Sequence, residues 1–247
     1  MNRRTIWGAI MRAALLDLLR RRDLAVAGIF MLVLLMLLGL AHIVGVEDAA
    51  TATLLLNLSL TLSVGLAHLI TVVMAARQFP EEIEQRTLYP LLARPLQRTD
   101  ILIGKWSACV AAGVALFLVL SLLILLLAPR MANYSGGTLA QLIILQVPAL
   151  MCTAALGLFF SLVLPRGLAL LTAGALVFGT GYMIRLGRNW APLYLLPDPS
   201  RLNLVLRYTD GIGPLAGPAF FALVAAALLW TGASLMAAAV IFERKNI

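Results

Sequence analysis

The chain has 247 residues, of which 62% are apolar and only 12% are charged, and its mean hydropathy is +0.98. Soluble domains average about 45–50% apolar and about 25% charged residues, so this composition excludes an ordinary soluble, fibrous or disordered chain and indicates an integral membrane protein. Two cysteines make no disulfide framework, and the meaning of the formal charge of +8 depends on where the basic residues lie.

The first 23 residues form a basic lead with an apolar stripe at helical spacing. The stripe consists of Trp7, Met11, Ala14, Leu15 and Leu18, and most of the arginines lie off it. This pattern predicts an amphipathic helix in the membrane interface over residues 1–23. Two roles stay open: a positively charged anchor, or an interface helix that also touches a partner subunit. The apolar run that follows is longer than the core of a signal peptide, so we expect the lead in the mature protein.

Six apolar stretches free of Asp, Glu, Lys and Arg are long enough to cross a bilayer core, which takes about 20 helical residues. The predicted spans are Leu24–Val46, Thr53–Ala76, Trp106–Ala128, Thr138–Leu164, Leu168–Ile184 and Ala219–Ile241. The fourth contains Pro148, which predicts a kink or a partly interfacial start, and the fifth is short. The expected fold is therefore an all-α membrane protein forming one domain over residues 1–247.

The basic residues are distributed unequally between the two faces that six spans would create. Fourteen of the 19 lie on one face, namely Arg3, Arg4, Arg12, Arg20, Arg21, Arg22, Arg77, Arg86, Arg94, Arg98, Lys105, Arg166, Arg244 and Lys245. The other face has five, partly offset by acidic residues. The positive-inside rule places the first face, with both termini, in the cytoplasm. The positive charge therefore reflects topology and contact with anionic lipids, and nucleic-acid binding is disfavoured.

The loop between the second and third spans, residues 77–105, is the least membrane-like part of the chain. Pro80 is followed by three acids, a sequence that predicts the start of a helix, and Pro90 and Pro95 then break the chain into short pieces. Thr99 and Asp100 predict the N-cap region of the helix that continues into the third span. A short charged helix should thus project into the cytoplasm.

This loop resembles the segment after the second span in permease subunits of type-2 ABC transporters. The resemblance is carried by Glu82, Glu84, Thr87, Leu88, Leu91, Leu92, Arg94, Pro95, Arg98, Ile101, Leu102, Gly104 and Lys105. The ending Phe242–Ile247 resembles the short basic ending after their sixth span. The span count, the interface helix and an irregular outer loop also match, so the resemblance covers essentially the whole chain.

In that family the short helix after the second span is a coupling helix that fits into a groove on the ATPase subunit. The resemblance places this role on residues 79–92, with Phe79, Glu81, Glu82, Glu84, Arg86, Thr87, Leu88, Leu91 and Arg94 as coupling residues. The alternative is that the acids only cap a helix and balance nearby arginines. The resemblance further implies two ATPase subunits that carry ATP and magnesium, and a second permease, either identical or related.

Catalytic and metal-binding patterns are missing from the sequence. Around Gly104 and Lys105, Trp106 stands where a phosphate-binding loop needs Ser or Thr, so ATP hydrolysis is expected on another chain. The two histidines and two cysteines lack metal-ligand spacing, and no cofactor or metal is expected here. No charged residue falls inside the predicted spans, which disfavours an ion-coupled carrier or an intramembrane enzyme, although neutral oxygens can bind sodium.

Polar residues on the second span fall close to one helical face, where they either line a watery path or hold helices together. By resemblance, the second and fifth spans line the dimer interface and the substrate route. The path candidates are Asn57, Thr61, His68, Thr172, Phe178, Tyr182 and Met183. The small residues Gly174, Gly179 and Gly181 favour close helix packing, within the chain or in a homodimer.

The segment 185–218 mixes short apolar pieces with prolines and is predicted to form a re-entrant loop on the outer face. Trp190, Tyr194 and Tyr208 suit an interfacial aromatic belt. The loop would be a gate for an amphiphilic substrate, or a non-specific lid. Together these features predict a permease subunit of a bacterial inner-membrane ABC exporter for an amphiphilic or lipid-like substrate. An ion-coupled carrier and a membrane scaffold or assembly factor remain the alternatives.

Overall fold

The computed structural model describes residues 49–84, 97–127, 136–186 and 198–244, together with scattered helical positions between residues 8 and 36. The helices are α1 Ala49–Glu84, α2 Arg98–Leu127, α3 Gly136–Val163, α4 Arg166–Leu186, α5 Val205–Thr209 and α6 Gly217–Arg244. A 3-10 helix, Pro199–Leu202, precedes α5. No strand occurs within these ranges, which confirms the helical fold class for the part of the chain they cover.

Four of the described helices are long and apolar enough to cross a membrane: Thr53–Glu84, Arg98–Leu126, Gly136–Val163 and Gly217–Arg244. They coincide with the predicted second, third, fourth and sixth spans. The apolar part of α4, Arg166–Gly181, is shorter than these four. The predicted first span lies mostly outside the described residues. The described chain therefore supports four spans and leaves the total of six as a prediction.

Two apolar clusters show that successive helices alternate in direction. One cluster joins the end of α1 to the start of α2 and to the ends of α3 and α6, through Met74, Phe79, Ile101, Leu102, Leu158, Leu162, Ala238 and Phe242. The other joins the opposite halves of the same helices, through Leu56, Leu60, Phe117, Ile124, Leu142, Leu145 and Ala227. Helices α1, α3 and α6 therefore run parallel to one another, and α2 runs against them.

The two ends of this bundle differ in character. We call the end that holds the last residues of α1, α3 and α6 the Glu84 end, and the end covered by residues 198–216 the loop end. Helix α4 begins at the Glu84 end, because Arg166 in its first turn forms an ion pair with Glu81 of α1. Met11, a described residue of the predicted apolar stripe, packs against the cluster at the same end, while its neighbour Arg12 is exposed.

Small residues let the helices approach closely, as packing in a membrane requires. Gly157 of α3 lies so near α1 that an added Cβ atom would stand 2.6 Å from the Cβ of Ala75. Gly113 of α2 is similarly close to the hydroxyl of Thr71. The glycines predicted to favour packing in the fifth span differ among themselves. Gly181 touches Ser200 of the 3-10 helix, whereas Gly174 and Gly179 face open space.

The predicted start of a helix at Pro80 is wrong, because α1 continues through Pro80 to Glu84. A proline inside a helix removes one backbone hydrogen bond, so the segment needs support from elsewhere. Phe79 and Ile83 supply it by packing into the apolar cluster of the Glu84 end. Thr99 and Asp100, the predicted N-cap region, lie within the first turn of α2, because the helix begins at Arg98.

Candidate functional site

An aromatic pair lies at the centre of the Glu84 end. The rings of Phe79 and Phe242 have centroids 5.0 Å apart and are inclined by 54°. The Lys105 ammonium lies 4.4 Å from the centre of the Phe79 ring, and the Arg98 guanidinium carbon lies 5.7 Å from that of Phe242. Each ring therefore meets one cation from α2, an arrangement that stabilises both partners when water is excluded.

Lys105 also links α2 to α1 through a buried ion pair. Its Nζ donates a hydrogen bond to Oε2 of Glu82. The lysine side chain is 4% exposed and the glutamate side chain is 29% exposed. A buried ammonium requires a hydrogen-bonded counter-charge, so this contact fixes the register between the end of α1 and the start of α2.

Arg98 connects the start of α2 to the end of α6. Its Nη1 donates hydrogen bonds to the backbone carbonyls of Phe242, at 2.7 Å, and Glu243, at 3.2 Å. The last carbonyls of a helix have no partner within the helix and carry its partial negative charge, so a cation there caps the helix end. Arg98 thus holds the end of α6 beside that of α1.

The three acids that follow Pro80 have different surroundings. Glu81 Oε1 pairs with Arg166 Nη2 of α4 at 3.1 Å, and Glu82 pairs with Lys105, so both contact other helices of the chain. Glu84 is exposed. The predicted coupling residue Phe79 is fully buried. The remaining coupling residues lie outside the described part of the chain, namely Arg86, Thr87, Leu88, Leu91 and Arg94.

The structure therefore joins α1, α2, α4 and α6 into one charged and aromatic junction at the Glu84 end. The coupling residues predicted from the sequence do not include the partners Lys105, Arg98, Arg166 and Phe242. A lysine eight positions into the apolar helix α2 was the available signal, because a cation at such a position needs a counter-charge.

His68, a predicted path residue, contacts α3 through both ring nitrogens. Nδ1 lies 2.8 Å from the hydroxyl of Thr153, which itself donates to the carbonyl of Ala149, so the ring donates from Nδ1. The ring Nε2 lies 3.2 Å from Oε1 of Gln146, and the buried amide nitrogen of Gln146 has no hydrogen-bond partner among the described residues. A neutral ring that carries its proton on Nδ1 leaves Nε2 as an acceptor, so exchanging the O and NH₂ positions of the Gln146 amide would give the ring a donor. This polar cluster joins α1 to α3.

The other path candidates make local contacts. Thr61 is exposed and donates to Asn57 at 3.1 Å on its own helix, and Thr172 donates to Leu168 at 2.8 Å on α4. Phe178 and Met183 are about half exposed, and the side chain of Tyr182 lies outside the described residues. Among the described side chains, no hydrogen bond joins the candidates of α1 to those of α4.

At the loop end, a glutamine fastens the segment before α6. Gln141 of α3 donates from Nε2 to the carbonyl of Leu215 at 3.0 Å and accepts from the backbone N–H of Leu215 at 2.6 Å. Thr138, one turn earlier, donates to the carbonyl of Ile212 at 3.0 Å. Residues 198–216 are therefore tied to α3 at defined points.

Apolar residues of the same segment insert between the helices. Leu202, Leu204, Val205 and Tyr208 are buried in the loop-end cluster. Tyr208, predicted to suit an interfacial aromatic belt, is buried and packs against the helices of this chain. Trp190 and Tyr194 lie outside the described residues. The described part of the segment is a packed cover over the loop end.

Replacing Gln141 with alanine should loosen this cover. Two hydrogen bonds to Leu215 are lost, each worth about 1 kcal/mol, so amide exchange at Leu215 should accelerate roughly tenfold or more. Hydrogen–deuterium exchange followed by mass spectrometry measures this. Gln141→Glu, which keeps the acceptor oxygen but loses the donor, should give an intermediate rate. Unchanged protection of Leu215 in both variants would show that Gln141 does not hold the cover.

The described side chains include no group of three or more His, Cys, Asp or Glu residues placed to hold a metal ion. Cys109 and Cys152 are both buried. In a comparison with known families, a family model described as ABC-2 family transporter protein matches residues 19–181. That range includes α1, α2, α3 and most of α4. No match was found among curated proteins.

Proposed function

Because the chain belongs to the ABC-2 transporter family, whose members are membrane subunits of transporters and not enzymes, we propose that it is the permease of an ATP-driven exporter whose ATPase is a separate subunit. The ATPase would carry ATP and magnesium and would dock at the Glu84 end, which we place in the cytoplasm of a bacterial inner membrane. Members of this family normally work with an ATP-binding subunit.

The observation that carries the docking proposal is the junction at the Glu84 end. Glu82 links the end of α1 to α2, and Glu81 links it to the start of α4. Arg98 links the start of α2 to the end of α6. A force applied to the end of α1 is therefore shared by four helices. Residues 79–92 would act as the coupling segment, with buried Phe79 as its anchor and exposed Glu84 as a contact.

The charge distribution supports an amphiphilic or lipid-like substrate. Helix α3 has no charged residue, and the charged residues of α1, α2, α4 and α6 lie near the helix ends. A route for a small ion would more commonly hold ionisable groups near mid-membrane. An apolar route is suited to a substrate that brings a hydrocarbon part of its own.

The exposed residues of helix α4 favour a second permease copy as a partner. Leu171 and Phe178 are exposed on it, and added Cβ atoms at Gly174 and Gly179 would meet open space within the chain. Exposed small and apolar residues let two membrane helices approach closely. We therefore propose that two permeases meet through α4, with the path candidates Thr172, Phe178, Tyr182 and Met183 near that contact. ATP-driven closure of the ATPases would then switch the pair between inward-facing and outward-facing states.

Charge reversal at Glu84 tests the docking proposal. Tagged chain is purified in mild detergent from membranes that also contain its ATPase, and co-purifying proteins are identified by mass spectrometry. The wild type should retain the ATPase. Glu84→Arg should reduce its recovery about tenfold or more, because losing a charge-assisted contact and bringing a positive charge against the cation that Glu84 would meet costs about 1.4 kcal/mol or more. Asp210→Arg is the matched control, since Asp210 is an exposed acid at the loop end.

The control should retain the ATPase as the wild type does. Equal recovery with all three proteins would contradict docking at Glu84. Absence of an ATPase from all three, under conditions that preserve other membrane complexes, would favour the carrier or scaffold alternative.

A further inference from the structure

The end of α6 lies at the same surface as the end of α1. Two hydrogen bonds from Arg98 hold the carbonyls of Phe242 and Glu243, and the ring of Phe242 is buried against Phe79. The position of α6 at this end is therefore fixed by contacts with α1 and α2, although Arg98 and Phe242 are 144 residues apart in sequence.

The lengths of the two helices beyond the aromatic pair place their final residues at similar depth. At 1.5 Å per residue, Glu84 lies about 7.5 Å and Arg244 about 3 Å along the helix axis beyond Phe79 and Phe242 respectively. Both helices run in the same direction, and Glu84, Glu243 and Arg244 are exposed. A stable interface covers about 800 Å² per partner, roughly 30 Å across, so one docked protein would span both helix ends.

We propose that Glu243 and Arg244 form a second contact for the ATPase beside the end of α1, with Arg98 as the residue that positions them. This inference rests on the proposed function. The exposed acid and base at the end of α6 offer charges of both signs to the partner, next to the acid at Glu84. Motion of the ATPase would then reach α6 directly, and through α6 the cover at the loop end.

Site-specific photo-crosslinking tests this contact in the full complex. The photoreactive residue p-benzoylphenylalanine is placed singly at Arg244, Glu84, Met236 or Gly213 in chain co-expressed with its ATPase. Membranes are irradiated, and the adducts are identified by mass spectrometry. Met236 is an exposed residue of α6 about 12 Å before Arg244, and Gly213 is exposed at the loop end. All four positions are exposed, so the substitutions leave the buried contacts intact.

Adducts with the ATPase from Arg244 and Glu84, and none from Met236 or Gly213, are expected. Adducts from Glu84 alone would overturn the contact at α6 and leave the proposed function standing. A complex that co-purifies but gives no adduct from either position would overturn both contacts. Failure of an ATPase to co-purify would instead overturn the proposed function itself.

The role of Arg98 is tested with the same reagent. In Arg98→Ala, crosslinking from Arg244 should fall roughly tenfold, because charged hydrogen bonds to two carbonyls are lost, while crosslinking from Glu84 should persist. In Arg98→Lys, which keeps the charge but not the planar donor group, crosslinking from Arg244 should be intermediate between the wild type and Arg98→Ala. Equal losses at both positions would indicate general unfolding of the junction and would overturn the positioning role.

Discussion

Replacing Glu82 with alanine is expected to reduce the free energy of unfolding by about 3 kcal/mol, whereas replacing Lys105 with methionine should reduce it by about 1 kcal/mol. The difference follows from burial. Lys105 is 4% exposed and cannot reach bulk water when the Glu82 carboxylate is removed, while Glu82, at 29% exposed, can be hydrated when the ammonium is removed. Methionine also keeps an apolar chain against the Phe79 ring.

Equilibrium unfolding in mixed detergent micelles, followed by circular dichroism, measures the two effects. The double variant Glu82→Ala/Lys105→Met should be about as stable as Lys105→Met alone, because no buried charge then loses its partner. Arg166→Ala provides the control, since Arg166 is 46% exposed and its pair with Glu81 should be worth less than about 1 kcal/mol. Equal losses for the two single variants would contradict the burial argument.

Gly157→Ala should destabilise the chain by about 2 kcal/mol, because overpacking a tight contact forces backbone shifts. The added methyl group would stand 2.6 Å from the Cβ of Ala75, which has no rotatable bond to relieve the clash. Helices α1 and α3 would have to separate, which would also lengthen the hydrogen bonds of His68 to Thr153 and Gln146.

The same unfolding measurement on Gly65→Ala gives the matched comparison. Gly65 lies on α1, and an added Cβ there meets nothing within 4 Å. Alanine favours the helix over glycine by up to about 1 kcal/mol, so this variant should be unchanged or slightly more stable. A Gly157→Ala protein as stable as Gly65→Ala would mean that the helices separate at little cost.

The membrane helices could be predicted from sequence where apolar length alone decides the outcome. The predicted spans within α1, α3 and α6 agree with the structure in position, because each is a long run without charge. The end of α1 could not be predicted by local rules. Pro80 indicated a boundary there, but the helix is supported by Lys105 and Arg166, which are distant in sequence.

The candidate site was predictable in location but not in its contacts. The acids after Pro80 stood out by composition. Only the structure shows that Glu81 and Glu82 pair with residues of other helices, whereas Glu84 is exposed. The distinction affects experimental design: Glu82→Arg would place a cation against buried Lys105 and disrupt the fold, whereas Glu84→Arg changes a surface charge. Similarly, the polar pattern identified His68, but its partners on α3 follow from helix packing.

The most direct test of the account is ATP hydrolysis by the purified complex in lipid nanodiscs, compared with each subunit alone and with a complex carrying Glu84→Arg. We predict no hydrolysis by this chain alone, and a rate for the ATPase that changes severalfold when the chain is present, with that change lost in Glu84→Arg. An ATPase whose rate is the same with and without the chain would contradict the assignment of this protein as its permease.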